Sequence, residues 1–410
     1  MKPKLRELEA HPIYHQGQQL VLLRDPLQLS DAQIAVPRPL VPLLGLMDGT
    51  RDEETLEAAL QVRAGVRLVP GLLSKLLLDL DSALLLDNER FLAAKREALR
   101  AYREAPFRPL TVDGLGSGQT PEAVSAWLQS FVDALSPDEA PAESGSVQGQ
   151  IVGLISPHID YHRGGMIYAQ VWSAAAQAVR QAELVVVLGT DHRGSAGTLT
   201  LTRQSYATPW GVLPTDRETV EALVDALGEG TALDAELHHG SEHSIELATV
   251  WLHFVRGEPV PIVPILCGHF GKFVDGGADL SSYEPFAKIV EVLSEVMASR
   301  RTLVVAAADL AHMGPAFGDP HGLDYIGRGR LRNADERLLA AVCAGEEDAF
   351  FGQLKAEGDR RNVCGLPPIY LTLRLLDRAV GEPAGYAICP ADPQGTSVVS
   401  IAGVILRNEA

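Results

Sequence analysis

The sequence predicts an α/β domain preceded by a small winged-helix-like α+β domain. Four short apolar, β-branched runs have the length of buried strands, amphipathic helical segments separate them, and a distinct pattern of strands and helices precedes residue 93. A chain of 410 residues is long enough for two or three domains, and this pattern favours two. We therefore expect a small domain over residues 1–92, a linker helix over 93–105 and a large α/β domain over 106–410.

The composition is that of a folded, acidic protein. Hydrophobic residues make up 46% of the chain and charged residues 21%, which is typical of globular proteins. The 35 basic and 53 acidic residues give a net charge of −18, so we expect neither nucleic acid nor an anionic membrane surface as a partner. The N-terminal segment lacks an apolar signal-peptide core, and no run of about 18 apolar residues occurs, which predicts a cytoplasmic protein. The cysteines form no CxxC pair, which argues against a disulfide scaffold or zinc ribbon and predicts reduced thiols: Cys267, Cys343, Cys364 and Cys389.

The first domain shows the pattern of a strand pair, two helices and a terminal hairpin. The strand pair centres on QQLVLLRD, Thr50 with Glu53 matches a capping box for the first helix, and a second helix begins near Pro70. The segment LLLDNERF predicts a hairpin with Asp87 and Asn88 at its tip. The stretch LLGLMDGTRDEETLEAAL is similar to PqqD-like peptide-recognition domains, which implies a module that binds a peptide or partner, although such apolar positions more often form only a core. The charged segment FLAAKREALRAYREA then leads out as a linker.

The large domain opens with an amphipathic helix and continues with buried strands. TPEAVSAWLQSFVDAL has apolar residues at helical spacing, and SPDEAPAESGSVQGQ after it predicts an exposed loop. The strand runs are IVGLIS, ELVVVLG, VPIVPIL and TLVVAAA, separated by helical segments such as YAQVWSAAAQAV. Continuous apolar runs of this kind indicate a sheet that is covered on both faces.

Three of the strand runs lead directly into histidines. IVGLIS is followed by His158, ELVVVLG by Asp191 and His192, and TLVVAAA by Asp309 and His312. In open α/β sheets, the loops at the carboxyl ends of the strands line the ligand crevice. We therefore expect these side chains to meet, whatever their separation along the chain.

Two further segments contain side chains that could take part in catalysis or bind a metal. In HHGSEHSIEL, Ser241 can cap a helix, and His243 and Glu246 are spaced to share one face of its first turn. In NVCGLPPIYLTLRLL, two prolines open a helix and Cys364 lies just before it, where the helix dipole favours the thiolate. The thiolate is the reactive and metal-binding form of cysteine.

Each of these residues also has an ordinary structural interpretation. A single histidine after a strand is more often a hydrogen-bonded structural group, Asp309 can simply cap a helix, and Cys364 can be a small buried hydrophobe. Asp160 and His162, in ISPHIDYHRGG, can equally join the pocket or stabilise a turn. The histidines to which we give the structural interpretation are His11, His15, His253, His269 and His321.

Six ordered motifs resemble those of the Memo family, whose prokaryotic members are often described as AmmeMemoRadiSam system protein B. They are ISPHIDYHRGG, VVLGTDHRG, TPWGVLPTD, SEHSIEL, VVAAADLAHMG and NVCGLPPI, and the similarity covers about three quarters of the chain. The resemblance implies an α/β sandwich like that of class III extradiol dioxygenases, which use non-haem iron. By position, His158, His192 and Cys364 match the family's proposed metal-binding trio, and His243, Asp309 and His312 match other residues of its pocket.

Two departures from the family pattern bear on the substrate. The residues after His158 are Ile159-Asp160-Tyr161-His162, which add a carboxylate and an imidazole, and an early motif has become DGLGSGQTP, without its aromatic residues. Both leave the three matched ligands intact.

The resemblance and the residue types together predict a metal-dependent oxidoreductase that acts on a small-molecule or peptide substrate. Two imidazoles and a thiolate favour iron or copper, with zinc as a further candidate, over magnesium or calcium. We expect His312, oriented by Asp309, and His243 to move protons, and the remaining groups to support the ligands: Asp191, Glu246, Asp160 and His162. A metal-dependent hydrolase and a non-catalytic peptide-binding or partner-binding protein are the alternatives. The name of the prokaryotic system implies a radical SAM enzyme as a partner.

Overall fold

A computed structural model describes residues 2–112, 115, 119–136 and 149–408 and divides the chain into two units, Met1–Glu104 and Ala105–Ala410. Residues 93–104, which the sequence analysis assigns to a linker, form the larger part of a helix of the first unit, Glu89–Glu104. Most of the predicted loop 136–150 and most of the DGLGSGQTP motif lie outside the described residues. No helix in the described ranges is both long and apolar enough to cross a membrane.

The first unit combines a small antiparallel sheet with helices. Its strands pair in chain order: β1 (Glu9–His15), β2 (Gln18–Arg24) and β3 (Ile34–Pro37). The α-helices described here are α1 (Val41–Leu44), α2 (Glu53–Ala64), α3 (Leu72–Ser82) and α4 (Glu89–Glu104). Apolar side chains from both kinds of element form one core, which includes Leu23, Val36, Leu43, Leu56, Leu60 and Leu80. The predicted strand pair around QQLVLLRD is confirmed.

Two local predictions for the first unit are wrong. The residue that caps α2 is Asp52, not Thr50, because the Asp52 carboxylate accepts a hydrogen bond from the Thr55 backbone N–H. The expected hairpin at Asp87 and Asn88 does not form. Instead, the Asn88 side chain accepts from the Phe91 backbone N–H and begins α4, since a short amide caps a helix as readily as it makes a turn.

The second unit is built on a mixed sheet of eight strands. The strands described in this unit are β4 (Ile151–Ser156), β5 (Leu184–Thr190), β6 (Leu199–Leu201), β7 (Tyr206–Thr208), β8 (Gly211–Leu213), β9 (Ile262–Cys267), β10 (Thr302–Ala307), β11 (His312–Met313), β12 (Val380–Pro390) and β13 (Val398–Arg407). Of these, β7 and β8 form a separate two-stranded ribbon, and the others form the eight-stranded sheet. The sheet order is β11-β13-β4-β10-β5-β9-β6, and β12 pairs with β13. The predicted runs are β4, β5, β9 and β10, which are parallel to their neighbours in this set. In contrast, β13 is antiparallel to β4, and β6 is antiparallel to β9.

Helices cover both faces of this sheet. They are α5 (Pro121–Asp133), α6 (Tyr161–Ala174), α7 (Ala176–Gln181), α8 (Arg217–Leu227), α9 (Glu229–Leu233), α10 (His238–Ser241), α11 (Ser244–Arg256), α12 (Gly271–Val274), α13 (Glu284–Ser299), α14 (Tyr325–Cys343), α15 (Glu347–Ala356) and α16 (Leu366–Leu376). Side chains of β5 alternate between two hydrophobic cores. Leu184, Val186 and Leu188 belong to one core, and Val185 and Val187 belong to the other. The predicted α/β fold, with a sheet buried on both faces, is therefore confirmed.

Candidate metal centre

The candidate site lies where three parallel strands end side by side. Ala307, the last residue of β10, is in register with Ser156 of β4 on one side and Gly189 of β5 on the other. The loops that carry His158 and His192 therefore leave the sheet next to the end of β10, at the edge where α/β sheets form ligand crevices. This geometry brings together chain segments that are far apart in the sequence.

His158, His192 and Cys364 converge at this edge. The potential ligand atoms of the three side chains all lie within 4.8 Å of one another. The Cys364 Sγ atom is 3.3 Å from the His158 Nε2 atom, and the two imidazole rings meet edge to face with centroids 5.1 Å apart. The structure thus places the three sequence-predicted ligands within reach of a single ion.

Both imidazoles of the trio are held through their Nδ1 atoms. His158 Nδ1 lies 2.9 Å from the Ala307 carbonyl oxygen, and His192 Nδ1 lies 3.1 Å from each carboxylate oxygen of Glu242. A carbonyl and an ionised carboxylate only accept hydrogen bonds, so Nδ1 carries the proton in each ring. This leaves the Nε2 atoms as the available ligand atoms, in the arrangement that fixes metal-binding histidines in proteins.

Cys364 is positioned by the start of α16. The Gly365 backbone N–H donates to the Asp309 carbonyl oxygen, and the Cys364 carbonyl oxygen accepts from the Thr190 hydroxyl. Burial would raise the pKa of the Cys364 thiol, but the neighbouring imidazoles of His158 and His312 hold it well below its usual value. The neighbouring imidazoles therefore favour the thiolate form of this side chain.

The histidines around this thiolate are correspondingly basic. Burial alone would lower the pKa of His158, but the charges of Asp309 and Cys364 raise it to about 9. Burial likewise opposes the charged form of His192, yet Cys364 and Glu242 raise its pKa well above the usual value. A metal ion bound at these side chains would replace the shared protons, because ligation requires neutral imidazole and thiolate.

Asp309 supports the trio through the backbone. Its Oδ1 atom accepts from the N–H of His158 at 2.8 Å and from that of Ile159 at 3.3 Å, and its Oδ2 atom is 3.8 Å from His158 Nε2. The sequence predicts that Asp309 orients His312, but the His312 Nδ1 atom lies 3.2 Å from the Leu310 carbonyl oxygen. The contacts of Asp309 thus fix the loop that carries His158.

His312 approaches the thiolate as a third imidazole. Burial would lower its pKa, but the charge of Cys364 and a hydrogen bond to it raise the pKa above the usual value. The ring packs edge to face against Phe317, with centroids 5.1 Å apart. His312 is half-buried, so its side chain remains partly accessible to solvent.

Glu242 is a site residue that the sequence analysis missed. Its carboxylate binds the Nδ1 atoms of His192 and of His243, the latter at 3.2 Å, and the two rings stack with an interplanar angle of 13° and centroids 5.0 Å apart. The ring of His243 also meets that of His158 at 5.6 Å. The available signal was the position of Glu242 in the SEHSIEL motif, directly before His243.

The start of α11 differs from the predicted one. Ser241 does not cap this helix, because α11 begins at Ser244 and the Glu242 carboxylate accepts from the backbone N–H groups of His243 and Ser244. The Ser241 hydroxyl instead accepts a hydrogen bond from the Arg193 guanidinium. The glutamate thus takes over the capping role that the sequence assigns to the serine.

Glu246 lies in α11 and forms a buried ion pair with Arg108. Its carboxylate also accepts from the backbone N–H groups of Thr111 and Val112, at 2.9 Å and 2.8 Å. The sequence predicts that Glu246 is one of the groups that support the ligands. These contacts tie α11 to the segment around residue 110.

The other predicted supporting groups, Asp191, Asp160 and His162, contact residues outside the trio. The Asp191 carboxylate accepts a hydrogen bond from His238 Nδ1 at 2.8 Å. His238 was not among the residues predicted from the sequence. Asp160 caps α6 and forms an ion pair with Arg163. The ring of His162 packs against the indole of Trp127, with ring centroids 4.8 Å apart.

Comparison with known proteins places this architecture in a family. Residues 108–403 match the sequence profile of the Memo family, described as Memo-like protein. A MEMO1 family protein of Aquifex aeolicus is 27% identical over 413 residues, covering 99% of this chain and 100% of the relative. MEMO1 family proteins of Methanopyrus kandleri and Thermotoga neapolitana are 27% and 28% identical, covering 68% and 54% of this chain and 90% and 76% of the relatives. The chain therefore belongs to the Memo-like family.

Proposed function

We propose that this protein is a metal-dependent oxidoreductase whose centre is formed by His158, His192 and Cys364, and that its substrate is a small molecule or peptide. The observation that carries the proposal is the convergence of two imidazole nitrogens and one cysteine sulfur within 4.8 Å, with both Nδ1 atoms engaged by acceptors. A metal site requires ligand atoms that are held in position by such hydrogen bonds, whereas a purely structural histidine cluster does not.

The donor set fits a soft or borderline ion. Two neutral imidazoles and a thiolate suit copper, iron(II) or zinc and disfavour magnesium and calcium, which prefer oxygen ligands. Three protein ligands leave positions for an exogenous molecule, as in catalytic rather than closed structural sites. Iron or copper, when bound, would supply one-electron and oxygen chemistry that no side chain provides.

The chain's own residues would handle protons and orientation. His312 and His243 each have Nδ1 held by an acceptor, the Leu310 carbonyl and the Glu242 carboxylate respectively, so Nε2 is the atom that can meet a substrate. Both rings are partly exposed, so a substrate in the site could reach them. We assign proton transfer to these two imidazoles and metal binding to the trio.

The thiolate sets this site apart from the two-histidine, one-carboxylate triad of many iron oxygenases. A sulfur ligand donates more electron density than a carboxylate, so ring cleavage does not follow from the fold alone.

Metal analysis of the full chain tests the proposal. Protein purified without chelator is assayed for iron, copper and zinc, then compared with His158→Ala and Cys364→Ser and with the control His269→Ala, an exposed histidine. We expect the two site variants to lose bound metal while they stay folded, and the control to retain it. Unchanged metal content in both site variants would refute the assignment.

The same preparation separates the alternatives. Oxygen uptake or a substrate-dependent change of metal oxidation state supports the oxidoreductase. Zinc as the sole metal, together with hydrolysis and no oxygen uptake, would indicate the hydrolase instead. Tight ligand binding without turnover would indicate a binding protein.

A further inference from the structure

We propose that Glu242 is a positioning residue that locks His192 and His243 into one stacked pair and sets the tautomer of both rings. The inference rests on the proposed function, because His192 is a ligand of the metal and His243 an acid–base group only within that proposal. Glu242 lies outside the trio, and it determines how both histidines present their Nε2 atoms.

The Glu242 carboxylate is saturated by N–H donors. It accepts from the backbone N–H groups of His192 at 3.1 Å, His243 at 2.8 Å and Ser244 at 3.1 Å, in addition to the two imidazole Nδ1 atoms. The Glu242 side chain is only 6% exposed. Only an ionised carboxylate can receive this many donors, because a protonated one would direct its own O–H at an N–H.

The main chain of Glu242 is held as firmly as its side chain. The Glu242 carbonyl oxygen accepts from the buried Arg108 guanidinium at 2.9 Å, and the same guanidinium pairs with Glu246. Glu242 therefore has no freedom to follow a ring that turns. Any reorientation of His192 or His243 must break a charge-assisted hydrogen bond.

One carboxylate consequently aligns two rings with different tasks. Because His192 and His243 share their acceptor and stack 5.0 Å apart, neither ring can be repositioned alone. His158 provides an internal contrast, since its Nδ1 atom is held by the Ala307 carbonyl and not by Glu242. A change at Glu242 should therefore affect His192 and His243 together and leave His158 in place.

Glutamine at this position isolates the effect. In Glu242→Gln, the side chain keeps its shape and one acceptor oxygen, but the second oxygen is replaced by an N–H₂ group, which cannot accept a hydrogen bond. Because both imidazoles donate through Nδ1, at least one ring must rotate or shift its proton to Nε2. We expect the Kd of the full chain for zinc, used alone as the probe, to weaken by about 10- to 100-fold. The matched control is Glu221→Gln, whose carboxylate accepts two hydrogen bonds from Arg203 away from the centre and should leave the Kd unchanged.

Histidine nitrogen NMR supplies a readout that a merely structural role would not move. In the metal-free wild-type chain, long-range ¹⁵N–¹H spectra, assigned with His192→Ala and His243→Ala, should show Nδ1 protonated in both rings. In Glu242→Gln, the signals of His192 and His243 should change together while those of His158 persist.

The outcomes are distinct. An Nδ1 atom without a proton at His192 or His243 in the wild-type chain would overturn the inference, even if the variant fails to fold. Wild-type zinc affinity in a folded Glu242→Gln protein would overturn it as well. Failure of the wild-type chain to bind any metal would refute the proposed function instead, and the nitrogen spectra would still decide the role of Glu242.

Discussion

Replacing Glu246 by glutamine tests whether this carboxylate supports the fold or the metal centre. The side chains of Glu246 and Arg108 are fully buried, and the guanidinium also donates to the carbonyl oxygens of His239 and Glu242. The substitution removes the only charge paired with Arg108 among these contacts, while the amide oxygen can still accept from Thr111. Breaking one partner of a buried ion pair costs about 3–5 kcal/mol, and we expect the free energy of unfolding of the second unit to fall by that amount.

Urea unfolding followed by tryptophan fluorescence measures this change. All four tryptophans lie in the second unit, so their emission reports on that unit alone. The control is Glu221→Gln, which removes a partly exposed pair with Arg203 and should cost no more than about 1 kcal/mol. The zinc affinity of folded Glu246→Gln protein should match that of the wild type.

Two results would refute this reasoning. A loss of less than about 1 kcal/mol would mean that the Arg108 charge is compensated by its carbonyl partners and that the buried pair contributes little. A tenfold loss of metal affinity at unchanged stability would instead place Glu246 among the residues that orient the ligands, as the sequence analysis expects.

Two further substitutions test the surroundings of the centre. Burial lowers the pKa of His239 to about 4, from an ordinary value of 6.5, so between these values the unfolded chain binds a proton that the folded chain excludes. Through this residue, the free energy of unfolding should be about 2 kcal/mol lower near pH 5 than near pH 7.5, and His239→Gln, measured by the same fluorescence assay, should remove that difference. An unchanged pH dependence in the variant would show that other groups cause it. Gly365→Ala would place a Cβ atom 2.3 Å from the Asp309 carbonyl oxygen, so urea unfolding should show a loss of about 1–3 kcal/mol and metal should bind more weakly. Gly352→Ala, which has open space in α15, is the control, and equal stability of the two alanine variants would contradict the steric argument.

The central strands could be predicted because burial on both faces leaves a continuous apolar run. β4, β5, β9 and β10 have this pattern. β12 was not predicted, because its partly exposed run contains Gly381, Pro383 and Gly385. β13 was not predicted, because Ser400 and Gly403 interrupt its apolar residues. A strand that carries turn-forming residues is recognisable only once its partner in the sheet is known.

The convergence of His158, His192 and Cys364 was predictable because strand ends meet at one edge of the sheet and the motif order resembles that of a known family. The surrounding contacts were not. Glu246 was placed by helical spacing from His243, but α11 begins only at Ser244, so the two residues do not share a helical face. Glu242 was overlooked because glutamate is usually exposed, and nothing in the sequence shows that its side chain folds back on two imidazoles.

The interior position of β13 has a kinetic consequence. β13 pairs with β4 through Val404 and Ile155, which joins strands from opposite ends of the second unit. Contacts between such distant segments carry a large loop-closure entropy and slow the search for the native topology. Until β13 docks, a refolding chain presents the edge of β4 unpaired, and this edge is where intermolecular strand pairing and aggregation would begin.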